Sequence, residues 1–374
     1  MKLISEFGGL QRLNELDNVS GDGAILLVTG KQSYELSGAN KVIEQWARNR
    51  QTVRFSEFSI NPKIEDAIRG AELARRQKIQ TIVAIGGGSV LDMAKLIKAF
   101  FHSPGDEYGL ARGKQTLSDP DLPLVAIPTT AGSGSEATHF AVVYIGAEKY
   151  SLASKFLLPD AVILDGKLVQ SGSKYQKTCN ALDALAQGIE SFWACGSTSE
   201  SRNYSTHALS GIWDLINAYV HSNCTDQISQ KMLEAAHSAG KAINISKTTA
   251  AHAWSYALTG GYGIPHGHAV WITLPSIFKA HYDAPMDQVI DPRGFEHHTE
   301  IMQSLCTILD LDPTKDLEEL LKQRLHDLEI VSDFSSFGIV TKRDRQAICE
   351  NVNMERMNNN PVKLNAEIHS IFKL

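Results

Sequence analysis

The chain of 374 residues lacks the marks of several protein classes. Its five cysteines, Cys179, Cys195, Cys224, Cys306 and Cys349, are scattered, odd in number and form no CxxC pair. That argues against a disulfide framework, so reduced thiols in a cytoplasmic protein are expected. Basic charge is not in excess. The 36 Lys and Arg face 42 Asp and Glu, a formal net charge of −6. That argues against a nucleic-acid binder, which would need a basic face, and leaves room for a local basic pocket. No window approaches the roughly 18 uninterrupted apolar residues of a membrane span. The opening "MKLISEFGGLQRLNELD" has no apolar run long enough for a signal peptide. Internal repeats and low-complexity tracts are absent. What remains is ordinary globular composition, 43% hydrophobic and 21% charged. At this length two domains are expected.

In the first half, apolar runs alternate with helical patterns. "AILLVTG" (24–30), "TVRFSEF" (52–58), "TIVAIGG" (81–87) and "LPLVAIPTT" (122–130) read as strands. "NKVIEQWARNR" (40–50), "NPKIEDAIRGAELARRQK" (61–78) and "SVLDMAKLIKAFF" (89–101) read as helices. This alternation predicts a parallel sheet with helices on both faces. "LPDAVILDGKLV" (158–169) is the last strand-like piece. Beyond it the spacing predicts helices over 176–195, 201–220, 228–258, 270–281, 297–309, 316–328, 342–352 and 362–373. The expected organisation is an α/β domain at 1–168 and an all-helical domain at 169–374, with a ligand in the crevice between them.

Two glycine-rich loops follow strands. "AIGGGSVLDMAK" places Gly86, Gly87, Gly88 and Ser89 between a strand and a helix. Such glycines let a backbone approach closely, and a helix N-terminus offers unpaired N–H groups to phosphate. The loop is neither GxGxxG nor a P-loop, and a plain tight turn is the bland reading. "IPTTAGSGSEAT" repeats the pattern, with hydroxyls from Thr129, Thr130 and Ser133. Two such loops on one carboxyl edge suit a pyrophosphate and its riboses.

The stretch 248–270, "TTAAHAWSYALTGGYGIPHGHAV", has no Asp, Glu, Lys or Arg, yet carries His252, His266 and His268. Upstream, "CNALDALAQGIESFWA" places Asp183 and Gln187 four apart, on one helix face. An unpaired carboxylate on that apolar face would be costly. Imidazoles ligate metals, and a divalent cation would satisfy the carboxylate. A lone buried histidine is more often a hydrogen-bonded core residue, so the residues by themselves leave both readings open.

In order along the chain, "GGGSVLDMAK", "PTTAGSGSEAT", "DALAQGIES" and "HAWSYALTGGYGIPHGHAVWITLP" resemble the iron-containing (group III) alcohol dehydrogenases. The resemblance runs over essentially the whole chain. It implies a Rossmann-like α/β N-terminal domain and an all-helical C-terminal domain, the fold shared with dehydroquinate synthase. It implies a catalytic Fe(II), or zinc as in some relatives, beside NAD(P), and a homodimer or larger assembly. Asp183, Gln187, His252 and His266 then match the metal ligands. Asp92 joins the first glycine loop among the cofactor-binding positions.

Three departures stand out. The family pattern has His where this chain has Gln187. It often has a second His, thought to relay protons, where this chain has Tyr256; His268 is an alternative relay. Relatives that prefer NAD tend to carry Asp where this chain has Gly30, followed by Lys31 and Ser33. Without that repulsion, NADP(H) is favoured over NAD(H). Lys149 matches, loosely, a ribose-binding lysine.

Within the family, "VTGKQSYELSGA", "EATHFAVVYI" and "KAINISKTTAAHAWSY" look closest to phosphonoacetaldehyde reductases, which make 2-hydroxyethylphosphonate. Such a small anionic aldehyde calls for cations, and Lys241, Lys247 and Arg202 are candidates. A general short-chain aldehyde reductase or a sugar-acid alcohol oxidase is the alternative within the family. A lyase or cyclase of the dehydroquinate-synthase type is the alternative of another class, against which Asp183 and "ALAQG" weigh. Gln187 also raises a non-catalytic homologue.

Overall fold

Five-residue runs such as Ile-Leu-Leu-Val-Thr bury every side chain, which a strand does only when both faces of its sheet are covered. In the computed structural model, which describes residues 2–21, 23–146, 148–221, 224–364 and 371–372, this is how the first half is built. Its strands are β1 (Lys2–Ser5), β2 (Ile25–Thr29), β3 (Thr52–Phe55), β4 (Thr81–Gly86), β5 (Leu124–Pro128), β6 (Phe140–Ile145), β7 (Glu148–Ala153) and β8 (Ala161–Leu164). Six of them form a parallel sheet in the order β1-β8-β5-β4-β2-β3. Alternate residues Ile25, Leu27, Val83, Ile85, Val125, Ile127 and Ile163 share one face and one core with Leu10, Leu13, Leu16 and Ile43. The longer helices of this half are α1 (Ala39–Ala47), α2 (Ile64–Arg76) and α3 (Gly88–Phe100).

The pair β6–β7 is an antiparallel hairpin that the strand–helix alternation did not announce. It follows the second glycine loop, and Lys95 of α3 holds both. The Lys95 ammonium is fully buried and donates to Ser135 O (2.5 Å), Thr138 O (2.7 Å), Thr138 Oγ1 (3.0 Å) and Phe140 O (3.0 Å). Burial pushes its pKa down to about 8.

The second half is helical: α4 (Lys174–Trp193), α5 (Ser199–Val220), α6 (Asp226–Ser246), α7 (Ala250–Tyr262), α8 (His266–Tyr282), α9 (Phe295–Ile308), α10 (Leu317–Asp327) and α11 (Lys342–Glu350). Two boundaries differ from the periodicity. The helix expected over 228–258 is two helices, because Lys247 adopts a left-handed φ of 61° and Thr249 leaves the helical region. The helix expected from 270 begins at His266, since Pro265 sits before its first turn and its Gly267 had read as loop. The helix expected over 362–373 falls largely outside the described residues. Among the described residues, no helix is long and apolar enough to cross a membrane.

Two compact units emerge: Met1–Lys174 with His221–Gly240, and Tyr175–Val220 with Lys241–Leu374. Within the first, α6 packs on the second glycine loop. Gly134, left-handed at φ +63°, lies so close to Gly240 that a Cβ on either would strike the other's backbone. Beside them Glu136 and His237 make a buried pair, Oε1 to Nδ1 at 3.1 Å.

Lys95→Met keeps the volume of the side chain but takes the ammonium donor away from a largely buried group of oxygens. It should lower the unfolding free energy by about 3 kcal/mol, measured by urea denaturation.

Candidate active site

Parallel pairing sets the carboxyl ends of β2, β4 and β5 side by side, with Thr29 opposite Ile85 and Gly86 opposite Pro128. Gly87 precedes α3, whose N-terminus has no side-chain cap and no acidic residue in its first turn. Its partial positive charge is thus left for a ligand. The two glycine loops touch. A Cβ on Gly87 would stand 3.3 Å from Thr130 Cγ2, and one on Gly88 2.7 Å from Ser133 Oγ. Thr129 Oγ1 is buried with no hydrogen-bond partner. A glycine cradle, an uncapped helix end and an orphaned hydroxyl fit a phosphate-bearing cofactor. Ser89 lies in the first turn of α3.

Asp92 is turned inward instead. Its carboxylate accepts from Ser135 Oγ (2.6 Å) and Val142 N (3.1 Å), so it braces the second loop. Lys149 lies on β7 opposite Tyr144, near enough for its charge to act on Asp92. Next to Gly30, Lys31 pairs with Glu57 at 2.9 Å. Ser33 begins a short helical turn. Arg54, unnoticed in the sequence, donates to Thr29 Oγ1 (2.8 Å) and Gly30 O (3.3 Å) and stacks 4.6 Å over the Tyr34 ring. Its signal was positional: it stands on the strand paired with β2, opposite Leu27.

The helical unit gathers the other candidates. Helix α4 is buried along almost its whole length. One face carries Asp183, Gln187 and, one turn on, Glu190. Against it come the first turns of two helices, bringing His252 of α7 and His266 of α8. Asp183, His252 and His266 have ligand atoms within 4.8 Å of one another. Asp183 Oδ1 lies 3.4 Å from His252 Nε2 and 3.9 Å from His266 Nε2. Asp183 Oδ1 and His252 Nε2 are buried, and neither has a hydrogen-bond partner. Donor atoms around a tetrahedral ion with bonds of about 2.1 Å stand about 3.4 Å apart. The cluster therefore fits a divalent cation. Gln187 shares the site through a side-chain hydrogen bond to Asp183.

Both imidazoles are held from behind. His252 Nδ1 meets Glu190 Oε2, and His266 Nδ1 faces Ser255 Oγ at 3.4 Å. Burial pulls the His252 pKa down, but Glu190 and then Asp183 carry it up to about 9. Burial pushes Asp183 up, and the His266 and His252 imidazoles more than reverse it. The pocket thus favours positive charge, whether a proton or a metal.

Helix α8 reaches α4 because of Gly267. A Cβ there would collide with Cys179 O and stand 2.8 Å from Asp183 N. Neither Gly267 nor Glu190 was singled out in the sequence. Glu190 had a signal, a third polar residue on the Asp183 face.

His268 is placed differently. Its Nε2 donates to Val331 O (2.6 Å), so its Nδ1 accepts from the Tyr175 hydroxyl (2.9 Å). Tyr256 stands one turn beyond His252, its ring 6.2 Å from that of His266. The candidate substrate cations have other neighbours. Lys241 lies 3.9 Å over the Tyr204 ring, Lys247 pairs with Glu355, and Arg202 donates to Ser197 Oγ at 3.1 Å.

Comparison with known proteins decides the family. The profile described as iron-containing alcohol dehydrogenase matches residues 2–166, and that of the Fe-containing alcohol dehydrogenase family, C-terminal, matches residues 178–374. This chain is a member of the iron-containing alcohol dehydrogenase family. It is an oxidoreductase that works between an aldehyde and an alcohol, with iron and a nicotinamide cofactor. It is 30% identical over 318 residues to the phosphonoacetaldehyde reductase of Streptomyces viridochromogenes, covering 82% of this chain and 78% of that one. It is 26% identical over 274 residues to long-chain-alcohol dehydrogenase 1 of Geobacillus thermodenitrificans, covering 72% and 69%. The crystal structure of sulfoacetaldehyde reductase from Bifidobacterium kashiwanohense in complex with NAD+ superposes with a TM-score of 0.88 at 23% identity, over 100% of this chain and 96% of that one. The α/β and helical halves of this dehydrogenase are thus those of its family.

Gly267→Ala should push α8 off α4. An unfolding free energy lowered by about 2 kcal/mol in urea denaturation is expected, the usual cost of overpacking.

Proposed function

We propose that this dehydrogenase reduces a small anionic aldehyde to its primary alcohol, with phosphonoacetaldehyde as the first candidate. The observation that carries the chemistry is the cluster of Asp183, His252 and His266, whose ligand atoms lie within 4.8 Å of one another and in which the buried Asp183 Oδ1 and His252 Nε2 have no hydrogen-bond partner. The substrate class is supported by the relative from S. viridochromogenes, which is named for that reaction.

Asp183, His252, His266 and Gln187 would hold the cation, Fe(II) first and Zn(II) as the alternative. When bound, the metal supplies Lewis-acid polarisation of a carbonyl oxygen and the nicotinamide supplies hydride. Gln187 offers an amide oxygen in place of an imidazole, a weaker and harder ligand. The backbone at Gly86–Ser89 and the hydroxyls of Thr129, Thr130 and Ser133 would cradle the pyrophosphate and riboses, with Asp92 bracing them and Lys149 beside. The product alcohol takes one proton at oxygen. Tyr256 is the better-placed donor, because both nitrogens of His268 are committed to Tyr175 and Val331.

NADP(H) is the cofactor we favour. Gly30 offers no carboxylate to repel a 2′-phosphate, and the Arg54 guanidinium beside it is a ready partner for one. A cytoplasmic location and a homodimer or larger assembly belong to the same proposal. All five cysteines are free, as a reducing compartment requires.

The test is turnover of anaerobically Fe(II)-loaded protein with NADPH and NADH on phosphonoacetaldehyde, acetaldehyde and glycolaldehyde. Marked preference for phosphonoacetaldehyde is expected. Equal rates on the neutral aldehydes would remove the anionic substrate and leave a general reductase. Stripping the metal with a chelator should abolish turnover, and Gln187→His should slow that stripping. Arg54→Ala should raise KM for NADPH about tenfold, the worth of one charge-assisted hydrogen bond, while KM for NADH stays put.

A further inference from the structure

Glu190 is a fully buried carboxylate with no part in the reaction as described so far. Its two oxygens are used unequally. Oε1 accepts from Thr249 Oγ1 (2.8 Å), Ala251 N (2.9 Å) and His252 N (3.4 Å). Two of these are backbone donors in the first turn of α7, so Oε1 is locked to a helix N-terminus. The Thr249 hydroxyl has no choice of direction, because it accepts from Trp193 Nε1 at 2.8 Å and must pass its own proton on to Glu190. Oε2 is left for His252 Nδ1.

We propose that Glu190 is a positioning residue for the metal, fixing His252 as the Nδ1–H tautomer so that its Nε2 lone pair faces the cation. The proposal rests on the metal site described above. An ionised carboxylate only accepts, so the ring nitrogen facing Oε2 must carry the proton. The other nitrogen, 3.4 Å from Asp183 Oδ1, is then the one that can exchange its proton for a cation and turn its lone pair into the cluster. Trp193, Thr249 and Glu190 form a chain of directed hydrogen bonds that ends on a ligand. A carboxylate behind a metal-bound imidazole also raises its basicity.

The rival role is purely structural, a cap for α7, and Glu190→Gln separates the two. Three donors converge on the Oε1 position, so the amide oxygen must sit there and the cap survives. The amide NH2 then faces His252 Nδ1, which must become an acceptor. The imidazole proton moves to Nε2, where it blocks the cation.

The experiment measures Zn(II) affinity of wild type and Glu190→Gln by competition with a chromophoric chelator, beside the melting temperature of each metal-free protein. Affinity should fall 10- to 100-fold, roughly the loss usual for such partners, with little change in metal-free melting. In the Zn(II)-loaded wild type, proton NMR should show a slowly exchanging, far-downfield imidazole N–H assigned to His252 Nδ1. That reading needs no variant, and so decides the matter if Glu190→Gln does not fold. Equal Zn(II) affinity in both proteins would overturn the positioning role and leave the metal site standing. A wild-type His252 Nδ1–H that exchanges freely would overturn it as well. A wild type that binds no Zn(II) or Fe(II) at all would remove the metal site, and this proposal with it.

Discussion

Two carboxylates buried on one helix set the terms for the helical unit. Asp183 and Glu190 project from the same face of α4, and both are buried. A desolvated charge without partners would cost more than the fold can spare. The remedy is to turn the beginnings of two other helices toward α4. His252 is the third residue of α7 and His266 the first of α8. Each start brings an imidazole, and each also brings unpaired backbone N–H groups and the positive end of a helix dipole. The irregular backbone at Lys247–Thr249 and at Gly263–Pro265 follows from this need. One long helix could not present two starts.

The α/β unit handles its ligand edge differently. There the strand ends are nearly uncharged, and the work is done by backbone, hydroxyls and space. Charge is kept one layer behind. Lys95 and Asp92, both on α3, grip the second glycine loop and the hairpin after it from below. A loop that must offer its N–H groups outward cannot also be stiffened by capping itself. Its rigidity comes from the buried side of the helix it touches.

The parts legible in sequence were those whose cause is local. Buried strands such as Thr81–Gly86 announce themselves as apolar runs ending in glycine, because both sheet faces are covered. Asp183 and Gln187 share a face by spacing alone. What escaped depended on partners far along the chain. The hairpin β6–β7 has the mixed burial of a half-exposed ribbon, which gives weak periodicity. The break at Lys247 lies inside an unbroken helical pattern, and it is set by where α7 must start relative to Glu190. Gly267 read as loop because glycine usually marks one. Its real constraint is the Cys179 carbonyl, eighty-eight residues earlier. Arg54 acquires its place at the ligand edge only through the pairing of its strand with β2.

Helix α6 has a consequence for how the protein comes into being. Residues 221–240 belong to the first compact unit, although α4 and α5 precede them in the chain. Gly134 has its packing partner only when Gly240 arrives, and Glu136 its histidine only with His237. During synthesis the α/β unit cannot complete itself when its last strand leaves the ribosome. It must wait while the 46 residues Tyr175–Val220 of the other unit are made, with its second glycine loop uncovered in the interval.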